Sequence, residues 1–199
     1  MSVDIRPLTG QEILAAIDDL ARLRMAVFAE WPYIYDGDPE YEADYLREFI
    51  EAPDGILVAA CDGNRIVGAA TASPMWAQKE EFRKPFESHG IDTSSLFYFG
   101  ESVLLPEYRG QGIGHAFFDH REAHARHLGH RWSAFCAVIR PDDHPARPAG
   151  YRPLDGFWRK RGYEILPGAI ATFRWKDHGD PVQTDHQLQF WLRKLEGKP

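Results

Sequence analysis

The chain has 199 residues, of which 44% are hydrophobic and 27% are charged, and its formal net charge is −7. This composition excludes an extended disordered chain, and the length is sufficient for one domain with its own core. The acidic balance argues against a general nucleic-acid binder, which would carry a basic face, so we expect one domain over residues 1–199 that binds no nucleic acid.

The first half of the chain predicts a strand, two helices and a hairpin. Residues 2–8 alternate apolar with polar side chains, as a strand does, and residues 13–28 place apolar side chains at helical spacing. Residues 39–52 predict a second, short helix. Two apolar runs within residues 56–74 flank Asp-Gly-Asn at 62–64, which is a strong hairpin signal.

The second half predicts further strands that alternate with helices. Residues 76–95 show no clear periodicity and are expected to form an elaborated connection. The remaining predicted elements, in chain order, are a strand at 96–105, a helix ending near 128, a strand at 131–140, a short helix at 154–161 and a hairpin from 168–177 to 187–195. The whole predicts a mixed α/β domain of the α+β type with a mostly antiparallel sheet.

A glycine-rich turn stands between the strand at 96–105 and the helix that follows. In "LLPEYRGQGIGHAFF" the residues Gly110, Gly112 and Gly114 alternate at the start of the helix. Glycine weakens a helix unless a partner must approach the backbone closely. The first N–H groups of a helix lack intrahelical partners and attract anions, and Arg109 adds a permanently charged donor. The turn therefore predicts a phosphate site.

The spacing of the turn distinguishes between kinds of phosphate ligand. The dinucleotide pattern G-x-G-x-x-G fails, because its third position would be His115 or Phe117. The Walker pattern fails as well, because no Gly-Lys-Ser/Thr follows. The sequence instead matches Arg-x-x-Gly-x-Gly at Arg109, Gly112 and Gly114. This pattern is short, and its structural context gives it weight.

The segment "LLPEYRGQGIG" resembles the acetyl-CoA signature of the GNAT superfamily of N-acetyltransferases, and the order of elements agrees from "DIRPL" to "QFWLRKL". The resemblance implies a central mixed, mostly antiparallel twisted sheet, flanked by helices and splayed between its two central strands. It also implies acetyl-CoA as co-substrate and an amine as acceptor.

The resemblance also implies which residues hold the cofactor. The pyrophosphate would lie on backbone N–H groups of the turn, and the pantetheine arm would run between residues 103–105 and 133–139. An N–H of Val103 or Leu104 would polarise the thioester carbonyl. The implied cofactor residues are Val103, Leu104, Leu105, Arg109, Gly110, Gln111, Gly112, Ile113, Gly114 and His115.

Acetyl transfer requires a base, because most alkylamines are protonated near neutral pH. Glu101 is the first candidate, since it lies on the strand that would carry the thioester, where burial could raise its pKa. The alternative is a strand carboxylate that pairs with an arginine. The departing thiolate needs a proton donor, for which many family members use a tyrosine.

The position of that tyrosine holds Trp158, in the segment "WRKRGY", and an indole N–H is no useful acid. Tyr151 is the candidate substitute, with His144 and solvent as alternatives. The segment "EWPYIYDGDPEYE" is rich in aromatic and acidic residues, so Trp31, Tyr33 and Tyr35, together with His144, are predicted to bind the acceptor. The segment "EWPYIYDGDPEYE" and the Pro-rich loop that contains His144 could instead form surface loops or a subunit contact.

Further expectations concern the cellular location, metal binding, the oligomeric state and the alternative functions. Cys61 and Cys136 lie in apolar runs without metal or redox spacing, and no apolar run could span a bilayer, so we expect a cytoplasmic protein with no membrane partner. His120 and His124 share a helix face but nothing completes a metal site. Aromatic residues in the closing hairpin make a homodimer possible. The alternatives to a small-molecule N-acetyltransferase are a CoA-binding sensor without turnover and an enzyme that modifies a protein amine.

Overall fold

The computed structural model describes residues 3–8, 11–39, 42, 45–46 and 52–195. Its strands within these ranges are β1 (Asp4–Leu8), β2 (Ile56–Asp62), β3 (Arg65–Pro74), β4 (Leu96–Leu104), β5 (Trp132–Val138), β6 (Glu164–Trp175) and β7 (Thr184–Lys194). They form one sheet in the order β1-β2-β3-β4-β5-β7-β6. Neighbouring strands pair antiparallel except β4 and β5, which pair in parallel. The predicted mixed, mostly antiparallel sheet is confirmed.

The α-helices whose bounds lie within the described residues are α1 (Gln11–Phe28), α2 (Glu80–Glu87), α3 (Ile113–His127) and α4 (Asp155–Lys160). The predicted helix at 39–52 falls largely outside the described residues. The segment 76–95 contains α2, which we did not predict. This helix is short, mostly charged and contains Pro85, a residue that normally ends helices, yet it buries Phe86 against Phe190 of β7. No described helix is long and apolar enough to cross a membrane.

The sheet is covered on both faces. Helix α3 packs on one face, where Phe117 and Phe118 meet Phe97 and Phe99 of β4. Helix α1 packs on the opposite face against alternate residues of β2 and β3, and α2 continues that layer. A strand buried on both faces reads as a continuous apolar run, which explains the sequence "ILVAAC" of β2.

The two central strands separate part of the way along their length. The ladder between β4 and β5 ends at the pair Tyr98–Ala134. Beyond that pair, β4 continues to Leu104 and β5 to Val138, where β5 is paired only on its β7 side. We call the gap between residues 99–104 and 135–138 the cleft. It opens beside the N-terminus of α3.

Candidate active site

The glycine turn, residues 109–115, uses backbone conformations that only glycine adopts easily. The φ angle is +77° at Gly110 and +84° at Gly112, both in the left-handed region. The N–H groups of His115 and Ala116 donate to the carbonyl of Gly112, and these are the first backbone hydrogen bonds of α3. The N–H groups of the preceding turn residues lie ahead of this ladder, at the N-terminus of the helix. A Cβ built at Gly110 or Gly112 would meet no atom within 4 Å. The space that a side chain at either position would occupy is therefore open to a ligand.

Charged side chains surround this turn. The Nε of Arg109 donates to the carbonyl of Leu104 at 3.1 Å, and its Nη2 lies 2.9 Å from the carboxylate of Glu30. Arg161, which follows α4, approaches the ring of His115 at 3.2 Å. Arg161 already pairs with Asp119 and Glu122, so the turn combines a helix N-terminus with one permanently charged donor, Arg109, which is an arrangement that favours a phosphate group.

The hydrogen bonds between β3 and β4 identify which backbone groups face the cleft. The N–H of Leu105 donates to the carbonyl of Val67 at 3.0 Å. Backbone groups of an antiparallel pair point alternately toward and away from the partner strand. Leu105 and Val103 therefore point toward β3, whereas the N–H of Leu104 points toward the cleft. Of the two predicted donors to a thioester carbonyl, only Leu104 has the required direction.

The carboxylate of Glu101 lies on the α1 side of the sheet. Its side chain is 6% exposed and forms an ion pair with Arg24 of α1, which also binds the buried carboxylate of Glu42. The predicted burial is present, and so is the arginine partner that the alternative proposed. As a base, Glu101 would act from inside this ion pair. An incoming ammonium group would compete with Arg24 for its oxygens.

The start of the cleft holds a thiol that is unsuited to nucleophilic chemistry. The Sγ of Cys136 lies 3.2 Å from the hydroxyl of Tyr98. Burial raises the pKa of the Cys136 thiol to about 12, so it stays protonated near neutral pH. This agrees with direct transfer between substrates and gives no support to an acyl-enzyme at this cysteine.

Several predicted acceptor residues meet in the structure. The ring centroid of Trp31 lies 5.1 Å from that of His144 and 5.9 Å from that of Tyr151. Burial raises the pKa of Tyr151, which keeps its phenol protonated. Tyr33 packs between Phe28 and Trp175, while Tyr35 pairs through its backbone with Asp177. Trp31, His144 and Tyr151 thus form one aromatic wall, and Tyr33 and Tyr35 lie further along the same loop.

Residues 29–38, which we call the acceptor loop for their predicted role, are held by an ion pair that the sequence analysis did not predict. Arg140 binds Asp177 through two nitrogens at 2.7 and 2.9 Å, and both side chains are about nine-tenths buried. The same guanidinium donates to the carbonyls of Pro32 and Tyr33. The indole of Trp175 also donates to the carbonyl of Tyr33. No local pattern joins Arg140 to Asp177, because they follow different strands.

Trp158, which stands where many family members have a tyrosine, contributes to the core. Trp158 packs with ring centroids 5.0 Å from Phe135 and 5.1 Å from Trp191. Its indole therefore stabilises the α4–β7 contact. The proton donor to the CoA thiolate must then be another group. Among the residues that the structure describes, no group of three or more His, Cys, Asp or Glu side chains could hold a metal ion.

These features define a class of protein, one in which a glycine-rich turn at a helix N-terminus opens onto a gap between two parallel strands. The sequence profile of the acetyltransferase (GNAT) family matches residues 20–163. This match covers well over half of the chain and includes the turn, the cleft and α4. The chain belongs to the GNAT family and is an acetyltransferase.

Solved structures share the fold across nearly the whole chain. The aminoglycoside 6'-N-acetyltransferase from Enterococcus faecium is 15% identical, with 98% of this chain and 99% of that chain covered and a TM-score of 0.64. The phosphinothricin acetyltransferase from Sinorhizobium meliloti, solved with AcCoA, is 19% identical, with 100% and 91% covered and a TM-score of 0.57. At these identities the likeness concerns the fold alone. No curated protein sequence matches the chain.

Proposed function

We propose that the protein transfers an acetyl group from acetyl-CoA to the primary amine of a small molecule, by direct attack in a ternary complex. One observation carries this proposal. The open glycine turn follows the end of β4, and the free edge of β4, which includes the N–H of Leu104, borders the cleft. Phosphate binding and carbonyl polarisation are thereby offered by one continuous stretch of chain. We propose that residues 1–199 form a single domain of this kind.

The residues present fit coenzyme A. The diphosphate would be held by backbone N–H groups within residues 109–115 and by the guanidinium of Arg109, which would exchange Glu30 for the phosphate. The pantetheine arm would extend along the free edge of β4. That edge offers the N–H of Leu104 toward the cleft, while Val103 and Leu105 hold the strand to β3.

The chemistry assigns one role to each of three residues. Glu101 takes the proton of the ammonium group, which frees a lone pair to attack the thioester carbonyl. The N–H of Leu104 stabilises the negative charge that develops on the carbonyl oxygen. The carbon–sulfur bond then breaks, and the CoA thiolate takes a proton from Tyr151, whose raised pKa keeps the phenol protonated until the thiolate forms.

The acceptor region supports a small molecule over a protein. The acceptor loop is fixed to the strand ends by the buried Arg140–Asp177 pair, which favours an enclosed site over an open groove. Solved relatives are named for aminoglycosides and for phosphinothricin, so both polycationic sugars and amino-acid-like amines belong in the test. We retain a cytoplasmic location and a homodimer as predictions. Phe190 and Trp191 of the closing hairpin are buried within the chain, so sedimentation must decide the dimer.

The test measures thiol release from acetyl-CoA with aminoglycosides, polyamines, amino acids, simple amines and lysine peptides. Wild type is compared with Glu101→Gln, which leaves Arg24 paired with Glu42, and with the exposed Glu87→Gln as control. We expect turnover with one class of small amine, a large loss in Glu101→Gln, and unchanged acetyl-CoA affinity by calorimetry. Turnover with peptides alone would favour a protein acceptor. CoA binding without turnover would contradict the proposed reaction.

A further inference from the structure

A β-bulge lies in β4 at the position of the proposed base. Ala72 of β3 pairs with Phe99, but Ala70 pairs with Ser102. One residue of β3, Thr71, therefore faces two residues of β4, Gly100 and Glu101. A bulge of this kind inserts one extra residue and redirects the side chains beyond it.

This extra residue decides which face of the sheet receives Glu101. Phe97 and Phe99 pack on the α3 face, and strict alternation would place residue 101 on that face too. Beyond the bulge the alternation is reversed, since Val103 packs with the α1 cluster and Glu101 pairs with Arg24 of α1. Without the bulge, the carboxylate would point into the aromatic core under α3.

A buried arginine of α3 binds the bulge from the α3 face of the sheet. Arg121 is 1% exposed, and its Nη1 donates to the carbonyls of Thr71 at 3.2 Å and Glu101 at 3.1 Å. Its Nη2 donates to the hydroxyl of Ser102 at 2.9 Å. One guanidinium thus bridges the facing strands at the point where the regular ladder is interrupted. Burial lowers the pKa of Arg121 to about 10, which leaves it charged near neutral pH.

The hydroxyl of Thr71 also binds the backbone of Glu101. The N–H of Glu101 donates to Oγ1 of Thr71 at 3.2 Å. The two peptide groups that flank the Cα of Glu101 are therefore fixed by two different side chains, Thr71 and Arg121. Rings on α3 and β4 enclose the guanidinium, whose carbon lies 4.4 Å from the ring centroid of Phe99 and 4.9 Å from that of Phe118.

We propose that Arg121 and Thr71 are positioning residues that maintain the β4 bulge and thereby hold the Glu101 carboxylate on the α1 side of the sheet. This inference rests on the proposed function, and in particular on Glu101 as the base. It assigns a task in the reaction to a buried arginine that touches neither substrate. Displacing a catalytic group by about 1 Å can cost roughly a hundred-fold in rate, so the effect is measurable.

The test is a double-mutant cycle of Thr71→Val and Glu101→Gln. Valine keeps the shape of threonine and removes only the acceptor for the N–H of Glu101. The control is Tyr163→Phe, which removes a buried hydroxyl that binds Ser133 and Glu122 outside the cleft. Arg121→Lys serves as a second, harsher variant. For each variant we measure thermal unfolding, CoA affinity, and kcat and KM for both substrates.

We expect Thr71→Val to lower kcat by roughly ten- to a hundred-fold while CoA affinity changes less than about two-fold. In the Glu101→Gln background the same substitution should have no further effect, because its action passes through that carboxylate. Additive losses, an unchanged kcat, or a fall in CoA affinity parallel to the fall in kcat would overturn the positioning role. The proposed function would survive each of those results.

Absence of turnover in the wild type would instead refute the proposed function. A crystal structure of Thr71→Val then decides the inference without any activity measurement. Loss of the contact between Glu101 and Arg24, with a changed register between β3 and β4, would support a positioning role for Thr71. Retention of the bulge and of that contact would overturn it.

Discussion

The glycine turn and the acceptor loop meet at the ion pair between Arg109 and Glu30, yet they owe their shapes to different causes. The turn is determined by its own residues, through positive φ angles at glycine and the start of α3. The acceptor loop is determined by side chains that are remote in sequence, above all Arg140 and Asp177.

This difference has a functional consequence. A change inside the turn should weaken CoA binding and leave the rest of the protein folded, whereas a change at the remote ion pair should affect stability and the acceptor together. The two halves of a bisubstrate site would then be separable by mutation. Of four substitutions, taken from the largest expected effect to the smallest, the first two test that separation directly.

Asp177→Ala should have the largest effect. It leaves the buried guanidinium of Arg140 without its carboxylate, which costs about 3–5 kcal/mol of unfolding free energy in buried pairs. The acceptor loop should loosen, so KM for the acceptor should rise while CoA affinity is retained. Urea unfolding and calorimetry measure the two effects. Arg174→Ala, which breaks an exposed pair with Asp185, should cost less than about 1 kcal/mol.

Gly112→Val should affect the other half of the site. A β-branched residue at φ +84° strains the turn and moves the N–H groups, so CoA affinity should fall about a hundred-fold, equivalent to about 2.7 kcal/mol. Gly129→Val is the matched control, because Gly129 has φ +83° at the opposite end of α3. It should lower stability without lowering CoA affinity. Equal loss of affinity in both variants would contradict a local phosphate site.

Tyr151→Phe should lower kcat by about ten-fold with little change in either KM. General acids contribute more than this to poorer leaving groups, but a thiolate departs with less assistance. Steady-state kinetics with the acceptor identified by the screen measures the change, with Tyr163→Phe as the control for loss of a buried hydroxyl. An unchanged kcat would assign the proton to solvent or to His144.

His186→Gln should produce the smallest effect, visible only in pH dependence. The ring of His186 stacks on Trp175 at 3.8 Å, and burial lowers its pKa despite the nearby Asp177. The unfolded chain therefore binds the proton more readily, so stability declines as the pH falls through about 6.5. Urea unfolding at pH 7.5 and 5.5 should show a smaller decline in His186→Gln than in wild type. The exposed His127→Gln should follow wild type.

The same division explains what the sequence could predict. The strands, the hairpins, α1, α3 and the turn all carry local signals, and the structure has them in the predicted order. Helix α2 was not predicted, because its apolar periodicity is limited to Phe82 and Phe86 and Pro85 between them normally indicates the end of a helix. Trp31 and His144, which the sequence predicts to bind the acceptor, contact each other, but the Arg140–Asp177 pair that supports the loop of Trp31 joins residues that follow different strands.

The surroundings of Glu101 depended on contacts that no local pattern reveals. Arg24 reaches it from α1, and the register shift that turns it toward α1 arises between two strands. A signal for Arg121 was nevertheless present in the sequence. It follows Phe117 and Phe118 at helical spacing on the buried stripe of α3, where an arginine requires an unusual set of hydrogen-bond acceptors.

We propose that the glycine turn and the cleft together form one site for coenzyme A. A crystal structure of the protein with CoA tests it most directly. We expect diphosphate oxygens within hydrogen-bond distance of backbone N–H groups in residues 109–115, and a pantetheine arm beside the N–H of Leu104. CoA bound elsewhere, or no binding at saturating concentration, would contradict it.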